Sequence, residues 1–133
     1  MMCRCADNKN DKIMQQENLI VNLTFKFALD IIVYCELLEA GRKYNMANQL
    51  FRSGTSIGAN VNEAQAAQST KDFLAKMHIA SKEARETKYW LDLLAATGYI
   101  NTDDEIIAVM FRDCESIVKI LASILLTIKQ KEV

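Results

Sequence analysis

Residues 102–131 read TDDEIIAVMFRDCESIVKILASILLTIKQK, and the spacing within this stretch decides the fold. Ile107, Met110, Cys114, Ile117, Leu121, Ile124 and Ile128 step by three and four, which on a 3.6-residue helix gathers them on one face. Thr102 and Glu105 form a capping box with Asp103 and Asp104 between them, so negative charge sits at the positive end of the helix dipole. Lys129 and Lys131 complement the other end. The pattern predicts a helix over 102–130 with one apolar stripe, which needs partners of similar length to cover it.

Upstream, three more stretches repeat the pattern. Over 70–97, Phe73, Met77, Ala80, Ala84, Thr87, Leu91 and Leu94 form a stripe; Ser69 or Thr70 can cap it, Asp72 favours its start, and Gly98 closes it. Over 45–68, Met46, Leu50, Ile57, Val61 and Ala64 share a face. Gly54 fills the gap in that series, and because the apolar spacing continues through Gly54 and Gly58, both are expected inside the helix, where small residues let a neighbour approach. Over 16–41 the stripe is Ile20, Leu23, Phe27, Ile31, Tyr34 and Leu38, with Gly41 as the expected left-handed C-terminal residue. Residues 1–15 are polar and unpatterned and read as a frayed leader. Helices this long joined by such short connections must alternate in direction, so the expected fold is all-α: an antiparallel up-down-up-down four-helix bundle over 16–133.

Composition agrees. The chain has no proline and only four glycines, against about 6 and about 9 at average usage, so architectures with many tight turns are excluded. Sixteen Lys and Arg against seventeen Asp and Glu give a net charge of −1, without the basic excess that drives nucleic-acid binding through counterion release. Cys3 and Cys5 lie in the polar leader and Cys35 and Cys114 in apolar stretches, which suits reduced thiols rather than a disulfide framework. No uninterrupted apolar run reaches membrane-spanning length, and the leader lacks an export-type apolar segment. The expected location is the cytoplasm, with no membrane partner.

Little in the chain supports catalysis. His78 is the single histidine; it falls between Met77 and Ile79, off the main stripe, and reads as an edge or surface residue. Glu83, Glu86 and Asp92 recur along the third stretch, but no Glu-x-x-His pair of the di-iron type occurs, and Gly54 and Gly58 fit neither phosphate-binding fingerprint. No catalytic residue, metal or cofactor is expected. The informative constellation is polar. Gln49, Arg52, Ser53, Ser56, Asn60 and Glu63 gather in one arc of the second helix, readable as a solvated flank or as an inter-subunit or ligand-facing surface in which Arg52 and Glu63 act as desolvated partners across an interface. A second set, Lys71, Lys76, Lys82, Arg85 and Lys88, supplies candidate nucleic-acid contacts, although Asp72, Glu83, Glu86 and Asp92 are interleaved with it. Tyr89 and Trp90 beside Lys88 can stack on bases or pack beneath a neighbouring helix or subunit.

The run from Arg52 through Asn60 with Glu63-Ala64, and the later Lys82-Glu83-Ala84-Arg85-Glu86-Thr87 with Tyr89-Trp90-Leu91, resemble the four-helix-bundle family named for the 23S ribosomal-RNA intervening-sequence protein. The likeness is strongest over residues 46–94. It implies a small cytoplasmic bundle, often assembled as a ring of five, without enzymatic activity. It also implies kinship with accessory proteins of diversity-generating retroelements, in which a basic ring surface holds nucleic acid and reverse transcriptase. Arg52, Ser56, Asn60 and Glu63 match the family's second-helix motif, which marks the polar arc as structural or interfacial. The leading expectation is therefore a non-catalytic, self-associating interaction scaffold, a homo-oligomer and by resemblance a pentamer, with protein partners. The alternative is an RNA- or DNA-binding accessory factor acting through a basic face of a ring.

Overall fold

A computed structural model describes residues 4–101 and 103–131. These residues form α1 (Arg4–Ala40), α2 (Tyr44–Gln65), α3 (Thr70–Thr97) and α4 (Glu105–Lys131), and no strand occurs among them. Each helix packs on its neighbour in sequence, and α1 closes the ring against α4. With connections as short as 41–43 and 66–69, consecutive helices run antiparallel, giving the expected four-helix bundle.

The stripes meet at the axis. Ile20, Phe27 and Ile31 of α1, Leu50, Ile57 and Val61 of α2, Met77, Leu91 and Leu94 of α3, and Met110, Ile117, Leu121 and Ile124 of α4 are almost wholly buried in one core. Leu23, Met46, Phe73 and Ile128, also expected in the stripes, pack at its edge and are partly exposed. Thr87 is buried within the stripe because its Oγ1 donates to the Glu83 carbonyl oxygen at 2.7 Å, which removes the cost of burying a free hydroxyl.

α2 packs most intimately, against α1 on one flank and α3 on the other. The cause on the α1 side is the pair of glycines one turn apart. A Cβ at Gly54 would lie 2.9 Å from both Cγ1 and Cγ2 of Ile31, and one at Gly58 would lie 3.2 Å from the Thr24 carbonyl oxygen. Both glycines thus sit within the helix, as the continued spacing predicts, and the poor helix propensity of this segment is offset by close approach of α1.

The helix ends refine the boundaries. α1 begins at Arg4 rather than near residue 16: the polar leader contains neither glycine nor proline, so nothing stops the helix from running outward beyond the core. Gly41 is not the left-handed residue; Arg42 is, at φ 63°. Lys43 N–H donates to the Leu38 carbonyl and Arg42 N–H to the Glu39 carbonyl, at 2.8 and 2.9 Å, the paired bonds of a Schellman ending with Arg42 at its strained position. α2 stops at Gln65, short of the expected 68. Ser69 Oγ caps α3 by accepting from Asp72 N–H at 3.0 Å, and Gly98 ends that helix at φ 77°. Thr102 lies outside the described residues. At the start of α4 it is Asp104 whose Oδ1 accepts from Ile106 N–H, at 2.9 Å.

Candidate functional site

The polar arc of α2 faces α3 of the same chain. Arg52 Nη1 reaches Glu83 Oε2 at 3.3 Å, and Nη2 contacts Glu86 Oε1, which also accepts from the Trp90 indole N–H at 3.3 Å. About two to three turns along the seam, Lys76 Nζ pairs with Glu63 Oε2 at 2.9 Å. Arg52 and Glu63 therefore form cross-helix ion pairs within the bundle. Ser56 Oγ and Asn60 Nδ2 bond back to the carbonyls of Ser53 and Ser56, while Gln49 is exposed. Ser53 is fully buried with its Oγ unpartnered. Trp90 is half-buried and anchored by Glu86, whereas Tyr89 is exposed and meets the Trp90 ring edge-on at 5.4 Å between centroids. The two motif segments thus build a single α2–α3 seam of charge, indole and small residues.

The basic set divides. Lys76 is committed to Glu63, and Lys88 to Asp92 at 3.1 Å; these carboxylates hold both ammonium groups above the usual lysine range, hydrogen bonding being the larger cause. Lys71, Lys82 and Arg85 are exposed and stand in no ion pair among the described residues. Lys82 and Arg85 border a groove between α3 and α4, which Lys129 of α4 joins from the opposite wall. His78 lines the same groove, and among the described residues no carboxylate does. Among the described residues, no group of three or more His, Cys, Asp or Glu side chains is placed to share a metal ion. Cys35 and Cys114 are free and buried, and burial pushes their thiols up to about 11 and about 12 respectively.

A further surface lies outside the stripes that sequence spacing picks out. On the face of α1 turned away from the core, Phe25, Leu29, Val33 and Leu37 recur every four residues and are 51–67% exposed. The same helix, over Met14–Ala40, contains an 18-residue window of mean hydropathy 1.5, only 33% of which is buried in the bundle, and it is long and apolar enough to cross a membrane. The expectation of no spanning segment, drawn from uninterrupted apolar runs, does not register such a window. Charge interrupts the helix: Lys26 Nζ bonds Asp113 of α4 at 2.9 Å and Asp30 at 3.4 Å. Phe25 continues across a groove of about 590 Å³ to Thr55, Gly58 and Ala59 of α2, and Phe51 of α2 is exposed as well. The signal for this face was present as excess apolar content on both sides of one helix, whereas a one-sided stripe is the mark of a helix with a single partner face.

With this geometry in place, the likeness to known proteins can be located on it. A family model described as 23S rRNA-intervening sequence protein matches residues 16–123, from the first packed turns of α1 to the last third of α4. A crystal structure from Bacteroides thetaiotaomicron at 1.70 Å resolution, described as a protein with unknown function from the S23 ribosomal protein family, is 42% identical. The alignment covers 83% of this chain and 97% of that one, with a TM-score of 0.76. No curated protein matches the chain. Since the family match spans all four helices and both segments of the α2–α3 seam, the chain belongs to the 23S rRNA-intervening sequence protein family.

Proposed function

We propose that this protein is a non-catalytic, self-associating helical scaffold whose copies meet through the outer face of α1 and the adjoining flank of α2. The observation that carries this reading is the row Phe25, Leu29, Val33 and Leu37, held in water on an otherwise well-packed bundle. Contiguous exposed apolar surface of this kind marks an interaction site. Covering the remaining area of each such side chain is worth about 1 kcal/mol, and a closed ring repeats that gain at every contact. Five copies is the number that the family resemblance implies. The groove beside Phe25 offers a complementary recess on the same face.

The alternative, nucleic-acid binding, retains Lys71, Lys82 and Arg85 but loses Lys76 and Lys88 to neighbouring carboxylates, so scaffold assembly is the better supported reading. The free buried thiols suit the reducing cytoplasm.

Light scattering tests the assembly. The wild-type chain at micromolar concentration is expected to be an oligomer of about five protomers, and Leu29→Glu/Val33→Glu to be a monomer with unchanged helical circular dichroism. A wild-type monomer, or a charged variant that assembles as before, overturns the proposal.

A further inference from the structure

The groove between α3 and α4 has no role in the assembly just described, which uses α1 and α2. It is an open groove of about 660 Å³, where the α3–α4 seam is looser than the α2–α3 seam. Its floor is aliphatic: Leu74 from α3, and Ala122, Leu125 and Leu126 from α4. Leu126 is more than half exposed despite a helix side that faces the groove. Lys82 and Arg85 stand one turn apart on one wall, and Lys129 on the other. Among the described residues no carboxylate lines the groove and none of these three cations has an ion-pair partner. Outside the groove, Lys26, Arg52, Lys76 and Lys88 are each matched by an acid, while Lys71, Arg112 and Lys119 also stand in no ion pair among the described residues; what distinguishes the groove is three such cations around one aliphatic floor.

We infer that this groove docks an acidic amphipathic helix of a partner protein. Leu74 to Arg85 spans about 16 Å of helix axis, or three turns, which suits the apolar side chains of an incoming helix at positions i, i+4 and i+7. The leucine floor receives those side chains, and the three cations receive carboxylates on its flanks. Charge complementarity selects the acidic partner: a neutral apolar helix would desolvate Lys82, Arg85 and Lys129 without compensation. A small ligand is disfavoured because the groove is open along its length and cannot enclose most of such a molecule's surface. A nucleic acid would leave the leucine floor unused, and no aromatic ring lines the groove to stack a base.

The test uses the full chain and a fluorescein-labelled helical peptide of roughly 14 residues, about four turns, with leucines on one face and glutamates on both flanks. Saturable binding is expected, weakened at least about tenfold by Lys82→Glu/Arg85→Glu and by added salt. Leu126→Ser should weaken it independently of charge. A peptide with lysine in place of each glutamate should not bind. Equal affinity of wild type and Lys82→Glu/Arg85→Glu for the acidic peptide overturns the inference, as does binding of the lysine peptide. So does displacement of the acidic peptide by a structured RNA hairpin at low salt, which would assign the groove to nucleic acid. Loss of assembled mass in Lys82→Glu/Arg85→Glu would assign it to a contact between copies. Both residues are exposed and stand in no ion pair among the described residues, so these variants are expected to fold, and circular dichroism verifies it. Monomeric Leu29→Glu/Val33→Glu should still bind the acidic peptide, so failure of the assembly reading and failure of this one are separable.

Discussion

At Gly54 two opposing effects can be weighed on one atom. Alanine is favoured over glycine inside a helix by about 1 kcal/mol, yet its Cβ would stand 2.9 Å from two carbons of Ile31, a β-branched side chain with no exposure. Neither carbon is the far end of a flexible chain, so α1 must move or Ile31 must leave its rotamer, at a cost of about 1–3 kcal/mol. Gly54→Ala is therefore expected to lower stability by about 1 kcal/mol net in urea unfolding, and a variant as stable as wild type would mean that α1 is not held against α2 at this point. That Gly54 and Gly58 serve packing was legible in the sequence, because apolar residues kept their spacing on either side. The ending of α1 was not. Gly41 and Arg42 are adjacent, and only the crossed bonds from Arg42 and Lys43 to Glu39 and Leu38 decide that arginine takes the left-handed position.

At the scale of elements, the α2–α3 seam shows how far the spacing of one helix reaches. Helical spacing was enough to put Arg52, Ser56, Asn60 and Glu63 on one flank of α2, since that depends on a single helix. It could not say what they meet, because the rotation of α3 about its axis is fixed by its own stripe, and only packing brings Glu83 and Glu86 beneath Arg52. Arg52 is half exposed, while the Glu83 carboxylate is only 14% exposed. Removing the guanidinium therefore costs more than an ordinary surface pair, because it strands carboxylates at the edge of the core. Arg52→Ala is expected to destabilise the protein by about 1–2 kcal/mol. A double-mutant cycle with Glu86→Gln should return a coupling of about 0.5–1 kcal/mol that shrinks in high salt. Additive losses in that cycle would show that the pair is spectator to the seam. The outer face of α1 is hidden from helical spacing for a related reason: one stripe per helix accounts for Ile20, Phe27 and Ile31 and leaves Phe25, Leu29 and Val33 on the opposite side unassigned.

For the molecule as a whole, the buried ionisable groups set a direction for its pH response. Burial raises Tyr34 to about 12 from 10.0, Cys35 to about 11 from 9.0 and Cys114 to about 12 from 9.0, and a lesser charge effect from Cys35, Glu39 and from Asp92 and Glu115, respectively, acts in the same sense. Lys88 opposes the shift at Cys114 without reversing it. In each case the unfolded chain gives up its proton at a lower pH than the folded one. Between the two values the unfolded state binds fewer protons, so stability must fall as pH rises. The contribution is complete below about pH 9 and is lost progressively towards pH 11–12. Urea midpoints are therefore expected to be insensitive to these groups from pH 7 to 8.5 and to decline steadily above pH 9. Cys114→Ala should start from a lower midpoint, because the buried sulfur is lost, but should decline less steeply. The slope, rather than the starting stability, separates ionisation from packing: if the variant and the wild type lose stability in parallel above pH 9, the Cys114 thiol is not held neutral by its place in the core.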